Sequence, residues 1–404
     1  MSFYEAQIEA NSLRLFAKFV TMEEDKRIRQ NEKISSFRPL RIILSGGGTG
    51  GHIFPAVAIA NEIKKLVPTA EILFVGALGK MEMEKVPAAG YKIIGVHIAG
   101  LQRKFAFSNF KLPFLIIKSL LKTRKIIKEF QPDVVVGTGG YASGPLLRAA
   151  TNKGIPALIQ EQNSYAGITN KILSKKVSKI CVAYEGMEKF FPKEKIMLTG
   201  NPVRQDISNI EEKRNEAFSF FKLDPNKKTV LVVGGSLGAK AINEAIGAGL
   251  QKFADNSIQL VWQTGKIYFE TAKQKTKGFE NKNITATDFI SRMDLAYAFA
   301  DVVISRAGAG AISELCIVQK PCILVPLPTA AEDHQTKNAM SLVNKNAAIL
   351  IKDTEATKIL VNKAIELINN STEQQTLKTN IKQLAFFNSA NVIAKEVLKL
   401  AGYH

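Results

Sequence analysis

Four glycine-rich stretches carry the residue types and spacings best suited to chemistry in this chain. They are SGGGTGGH at Ser45–His52, GTGGYASG at Gly137–Gly144, GGSLG at Gly234–Gly238 and the looser RAGAG at Arg306–Gly310. Glycine lets the backbone turn tightly and brings bare N–H groups close to a ligand. At a helix start those groups, with the helix dipole, hold an anion such as a diphosphate. One such loop is a weak signal. Four of them, each following a strand-like run, point to phosphate or sugar recognition rather than to plain tight turns. Arg204 offers a guanidinium that can pair bidentately with diphosphate oxygens. His52 closes the first loop, and an unperturbed imidazole titrates near ~6.5, which suits proton transfer at neutral pH. A helix N-terminus favours its neutral, proton-accepting form. His52 could equally serve as a hydrogen-bonding group of the loop, and Glu161 is the second candidate base.

Gly46-x-Gly48-x-x-Gly51 formally matches the dinucleotide fingerprint. That fingerprint expects an acid at the end of the next strand to hold a ribose. Here the strand ends Phe74-Val75-Gly76-Ala77, and Glu71 only opens it. No loop has the Gly-Lys-Ser/Thr of a P-loop. Nicotinamide-dependent redox chemistry and nucleotide hydrolysis are therefore disfavoured.

The elements that must position these loops read as strands alternating with helices. Apolar runs at Ile42–Leu44, Ile72–Val75, Val134–Val136, Ala157–Ile159 and Ile180–Ala183 are separated by segments of helical periodicity, such as Ala56–Leu66. The grammar restarts at Thr229, with Val230–Val233, Leu260–Trp262, Val302–Ile304, Cys322–Val325 and Ala348–Ile351. Continuous apolar strands between helices mean parallel sheets covered on both faces. The predicted fold class is thus α/β, two Rossmann-like doubly wound domains with a cleft between the carboxyl ends of their strands. We place a charged N-terminal extension at 1–38, a first domain at 39–205 and a second at 206–404, whose last helix is able to pack back on the first domain.

The chain of 404 residues is long enough for two such cores. Its three cysteines, Cys181, Cys316 and Cys322, form no C-x-x-C and read as free thiols in a reducing compartment. The four histidines show no zinc spacing, so no metal site is expected. No stretch approaches the ~18 uncharged apolar residues of a membrane span, and Glu5 and Glu9 argue against a secretory signal. The formal charge of +19 calls for an anionic partner. Without an aromatic RNA-binding signature or a Cys/His finger, nucleic acid is not expected to be that partner.

The loops belong to a longer series of motifs. GGGTGGHIFP at Gly46–Pro55 is followed by GTGGYASGP at Gly137–Pro145, EQNSYAG at Glu161–Gly167 and GNPVR at Gly200–Arg204. Then come GGSLGA at Gly234–Ala239, DFI at Asp288–Ile290, RAGAGAISE at Arg306–Glu314 and DHQTKNA at Asp333–Ala339. In this order they resemble the bacterial MurG family of undecaprenyldiphospho-muramoylpentapeptide β-N-acetylglucosaminyltransferases, from about Pro39 to the C-terminus. The resemblance implies the glycosyltransferase-B architecture and transfer of N-acetylglucosamine from UDP-N-acetylglucosamine, without a cofactor. The acceptor would be the 4-hydroxyl of a muramoyl-pentapeptide on undecaprenyl diphosphate, in peptidoglycan synthesis. An α-linked donor and a β-linked product imply one inverting displacement. No Asp-x-Asp occurs in the chain, so Arg204 and the helix start at Ser236–Gly238 are expected to stabilise the leaving diphosphate without a metal. The resemblance gives Ile290 a backbone contact to uracil and Glu314 the ribose hydroxyls. Gln335 and Asn163 would read sugar hydroxyls. Thr49, Gly50, Gly51, Ala309, Gly310, Ala311, Ile312 and Ser313 complete the expected binding set. His52 becomes either the base or a ligand of the acceptor diphosphate. Other lipid- or nucleotide-linked transferases and UDP-sugar epimerases share this fold and are the alternatives.

The segment Leu101–Lys128 holds Arg103, Lys104, Lys111, Lys118, Lys122, Arg124, Lys125 and Lys128 with no acid, among Phe105, Phe107, Phe110 and Phe114. Cations beside exposed aromatics suit an anionic leaflet. With a lipid-linked acceptor, this places the protein peripherally on the cytoplasmic side of the inner membrane, near other cell-wall enzymes as partners.

Overall fold

The computed structural model describes residues 38–98, 112–207, 209–235 and 237–403. Nearly all of the expected N-terminal extension, the basic segment up to Lys111, and Ser236 lie outside them. Two parallel sheets form the chain. The first contains β1 (Arg41–Ser45), β2 (Glu71–Ala77), β3 (Lys92–Val96), β4 (Val134–Gly137), β5 (Ala157–Glu161), β6 (Lys179–Val182) and β7 (Ile196–Leu198). Their spatial order is β3-β2-β1-β4-β5-β6-β7. The second contains β8 (Thr229–Val233), β9 (Gln259–Gln263), β10 (Ile284–Thr287), β11 (Val302–Ser305), β12 (Cys322–Leu324) and β13 (Ile349–Leu350), in the order β10-β9-β8-β11-β12-β13.

The central strands bury both faces, as alternation along β1 shows. Ile42 and Leu44 join Phe74, Val134, Val136 and the helix Gly50–Leu66 on one side. Ile43 faces the other way, toward Val75, Val135, Leu146 and Ile127. In the second sheet Val230, Val232 and Trp262 pack on one side and Leu231, Val261 and Val303 on the other. The three cysteines are buried and free, and burial pushes the Cys181 and Cys316 thiols up to about 12.

The chain crosses between the sheets twice. The second crossing leads to the C-terminal helix Ser389–Leu400, whose Ile393, Ala394 and Val397 complete the core of the first sheet. Asn391 donates to Glu62 there at 2.8 Å. The two crossings touch at Gly200, which has a φ of +74°; a Cβ on it would sit 2.3 Å from Cβ of Phe386. Only glycine fits that contact.

The sheet orders fix where ligands can bind. Strand succession reverses between β1 and β4, and again between β8 and β11. Crevices at the carboxyl ends of strands open at such reversals. The four glycine loops follow β1, β4, β8 and β11, so both reversals are flanked by two of them.

Candidate active site

At the first reversal the loop after β1 is tied down before it becomes a helix. The carboxylate of Glu82, fully buried, accepts from Gly48 N at 2.9 Å and Ala77 N at 2.9 Å. Thr49 is extended and precedes the helix Gly50–Leu66, whose first turn carries Gly50, Gly51 and His52. The loops after β1 and β4 interlock: Gly140 has a φ of +77°, and a Cβ on it would lie 2.3 Å from Gly47 O.

His52 Nδ1 lies 3.0 Å from Thr138 O and 2.9 Å from Gln162 Oε1. Both partners only accept, because the Gln162 amide nitrogen is itself donating to Thr138 O at 2.6 Å. Nδ1 therefore carries the proton, and Nε2 has a free lone pair. His52 is half-buried at the loop-to-helix junction. Gln162 Nε2 also donates to the side chain of Gln160, and Gln160 donates to Asn201 at 2.9 Å. Asn201 donates to Gln162 O and to Ser313 Oγ, each at 3.0 Å. A buried chain of amides thus runs from His52 to the helix Ala309–Val318 of the second half.

Glu161 ends β5, almost wholly buried. One oxygen accepts from Asn163 N at 3.1 Å, and the other from Gly167 N at 3.0 Å and Asn170 Nδ2 at 2.8 Å. Its lone pairs are spent on ordering the loop Asn163–Gly167. Asn163 Oδ1 accepts from Asn338 Nδ2 at 3.1 Å, and Asn338 Oδ1 accepts from Ser164 N at 2.9 Å. Asn163 is thereby held against the second half, two residues from its first-half anchor.

At the second reversal Gln263 holds the loop after β8. It accepts from Gly235 N at 3.0 Å and donates to Gly235 O and Asp288 O, each at 2.9 Å. Ile290 buries its side chain in the core, which leaves its backbone for a ligand. Gly308 and Gly310 bracket the start of the helix Ala309–Val318, and a Cβ on either would meet nothing within 4 Å. Ala311, Ile312 and Ser313 continue that turn. Arg306 is committed elsewhere, to Val325 O at 3.0 Å and to Asp353.

Glu314 stands one turn into this helix, largely buried. It accepts from the Tyr297 hydroxyl at 2.9 Å and pairs with Arg204 Nε at 3.2 Å. Burial raises its carboxyl above the usual range, opposed by the Arg204 guanidinium. Burial, then Glu314, pushes the Tyr297 phenol well up. Arg204 is half-exposed on the first crossing, so a cation and a carboxylate meet at the open helix start. Gln335 lies in the first turn of the helix His334–Val343, where its Oε1 accepts from Leu327 N at 2.9 Å.

The structure thus brings His52, Glu161, Asn163, Arg204, Glu314 and Gln335 to the carboxyl edges of the two sheets. Glu82, Gln162, Asn201 and Asn338 were not singled out from sequence. Gln162, Asn201 and Asn338 sit inside recognised motifs, which was a usable signal. Glu82 gave none.

The second half of the chain, residues 229–396, matches the C-terminal domain model of glycosyltransferase family 28, and residues 42–182 match its N-terminal domain model. A protein of Phocaeicola vulgatus named UDP-N-acetylglucosamine--N-acetylmuramyl-(pentapeptide) pyrophosphoryl-undecaprenol N-acetylglucosamine transferase is 60% identical over 363 residues, covering 90% of this chain and 96% of that protein. Its namesake in Flavobacterium psychrophilum is 55% identical, covering 89% of this chain and 97% of that protein. A crystal structure of Acinetobacter baumannii MurG superposes with a TM-score of 0.72 at 28% identity, over 89% of this chain and 100% of that one. A UDP-N-acetylglucosamine 2-epimerase superposes with a TM-score of 0.61 at 14% identity, over 91% of this chain and 97% of that one, a likeness of fold alone.

Proposed function

The chain belongs to glycosyltransferase family 28, and from that premise we propose that it transfers N-acetylglucosamine from UDP-N-acetylglucosamine to an undecaprenyl-diphospho-muramoyl-pentapeptide. The observation that carries the reading is the pairing of two prepared groups across the cleft. One is His52, with Nε2 free to accept a proton. The other is the Arg204–Glu314 pair at an open helix start.

In this reading the acceptor 4-hydroxyl attacks the anomeric carbon from the face opposite the diphosphate. Its proton passes to His52 Nε2 as the new glycosidic bond forms. The bond to the diphosphate breaks in the same step, inverting the α-linked donor to a β-linked product. Charge on the departing UDP is met by Arg204 and by N–H groups of the Gly234–Gly238 loop and the helix start at Ala309. Glu314 takes the ribose hydroxyls, and the Ile290 backbone takes the uracil. Asn163 and Gln335 read the sugar hydroxyls, with the remaining first-loop residues Thr49, Gly50 and Gly51 around the acceptor diphosphate. Glu161 orders the Asn163 loop rather than moving the proton.

The membrane end of the acceptor suits the exposed apolar side chains around the first reversal. Phe54 projects from the opening of the helix Gly50–Leu66, Tyr141 from the loop after β4, and Ile117 and Leu121 from the helix Leu112–Phe130. Among the described residues no helix is long and apolar enough to cross a membrane. We therefore assign peripheral attachment to an anionic leaflet.

The test is UDP release from UDP-N-acetylglucosamine with a lipid-linked muramoyl-pentapeptide acceptor. Acceptor-dependent release with a β-linked disaccharide product is expected. Epimerised UDP-sugar without transfer, or no acceptor dependence, would overturn the reading.

A further inference from the structure

Beyond the loops, the two halves enclose a cavity of about 780 Å³, within the ~300–1,000 Å³ range of ligand sites. It lies past β5, against the carboxyl ends of β6 and β7 and the helices Ala309–Val318 and His334–Val343. It shares walls with the candidate site: Ser164 adjoins Asn163, Ser313 adjoins Glu314, and Lys337 lies two residues past Gln335.

One feature of its wall calls for an anionic partner. Lys337 Nζ sits 3.5 Å from the centre of the Tyr165 ring, and Lys189 Nζ 5.1 Å from that of Phe190. Lys171 lies between the same two rings, 4.1 and 4.5 Å from their centres. Among the described residues none of these three lysines has a carboxylate within ion-pair distance; Lys345, on the same wall, is paired with Glu185 at 3.4 Å. Of the three, Lys189 and Lys337 line the cavity, and Lys337 Nζ also donates to Glu332 O at 2.7 Å; ammonium groups gathered on aromatic faces repel one another unless an anion joins them.

We propose that this cavity binds the peptide of the acceptor, a deepening that rests on the function proposed above. The muramoyl sugar carries its diphosphate-lipid at one end and its peptide beside the reacting hydroxyl. The exposed apolar residues Phe54 and Tyr141 put the lipid on the β1–β4 side of the crevice. The peptide then leaves toward β5, β6 and β7, where the cavity is. A peptide joined through its amino end keeps its carboxyl end free and is anionic. Its carboxylate meets Lys189 and Lys337, and its apolar side chains lie along Leu198, Met340 and Leu384.

The test compares two lipid-linked muramoyl acceptors, one with the full pentapeptide and one cut back to a single amidated residue. The wild-type protein is expected to show a lower KM for the full acceptor. Lys189→Ala with Lys337→Ala is expected to raise that KM about tenfold, as two partly solvated charge contacts would. The KM for the cut-back acceptor, the KM for UDP-N-acetylglucosamine and kcat stay as in wild type. Equal KM for both acceptors in the wild type, or equal effects of the double variant on both, would overturn the peptide site. Failure of the transferase reading looks different: no transfer to either acceptor.

Discussion

Two side chains decide what the cleft can do with a proton and a nucleotide. At His52 the partners of Nδ1 only accept, so the ring presents Nε2 as a base. His52→Ala is expected to lower turnover by ~10²–10⁴, the usual loss for a missing general base. UDP-N-acetylglucosamine affinity, measured by calorimetry, should be unchanged. Normal turnover at saturating acceptor would remove His52 from the step. Gln162 acts through His52 as a positioning residue. Gln162→Leu leaves Thr138 O as the remaining acceptor, so a loss of about tenfold in kcat with little change in donor KM is expected. At Glu314 the sign of the pH effect follows from burial, which raises its carboxyl. Ribose hydroxyls donate to the ionised form, so UDP affinity should rise with pH through a window above the ordinary carboxylate range. Glu314→Gln should weaken UDP binding about ten- to a hundredfold, in line with ~1.5–3 kcal/mol for a hydrogen bond to a charged group, and should flatten that rise. A pH-independent wild-type affinity across the window counts against this role.

At the scale of elements, the loops act in interlocked pairs. Gly140 stands at φ +77° with Gly47 O where its Cβ would be, so Gly140→Ala must strain its own turn and push the first loop away. A loss of about 1–3 kcal/mol in urea unfolding is expected, with transfer falling as His52 shifts. An unchanged unfolding midpoint would show that the loops are not coupled. The central strands were legible in the sequence because a strand buried on both faces is an unbroken apolar run, as in Val134–Val136. The edge strands β3, β7 and β10 were not among the runs read there. Each is partly solvated; β3 and β10 mix polar residues into a short run, KIIGV and ITAT, and β7 is only three residues, IML. The glycine loops were legible because each sits after such a strand. Glu82 was not: its carboxylate reaches a loop 34 residues away, and no local pattern encodes that contact. The loop-ordering bonds of Glu161 were equally hidden, since a buried carboxylate reads the same in sequence whether it moves protons or caps N–H groups.

For the whole molecule, charge and shape give the enzyme an orientation. The formal charge is +19. The helix Leu112–Phe130 runs back across the first sheet, from the carboxyl edge of β3 to the start of β4. Its opening half therefore lies at the edge that carries the first two glycine loops. On that half Ile117 and Leu121, 56% and 58% exposed, form one i, i+4 ridge, while Ile126 and Ile127 near the other end are buried. Lys118 and Lys125 flank the ridge and are exposed, Lys125 within 3.7 Å of Glu129 on the same helix, while Lys122 is partly committed, donating to Gly95 O at 2.6 Å. Such a ridge inserts its apolar groups into a leaflet while the bases meet anionic headgroups, at about 1 kcal/mol per basic residue near the surface. Binding to vesicles containing anionic lipid should therefore weaken as salt is raised, because the charge contacts are screened. Replacing Ile117 and Leu121 together by glutamate removes the insertion and adds repulsion, so vesicle binding should fall at least tenfold. UDP affinity should be unaffected, since the ridge is on the first sheet's helix and the proposed nucleotide site is on the second sheet. Transfer to a detergent-free, vesicle-borne acceptor should drop with the vesicle affinity, while transfer to a short-chain soluble acceptor should not. Equal vesicle binding by the double variant and the wild type would assign the membrane contact to another face.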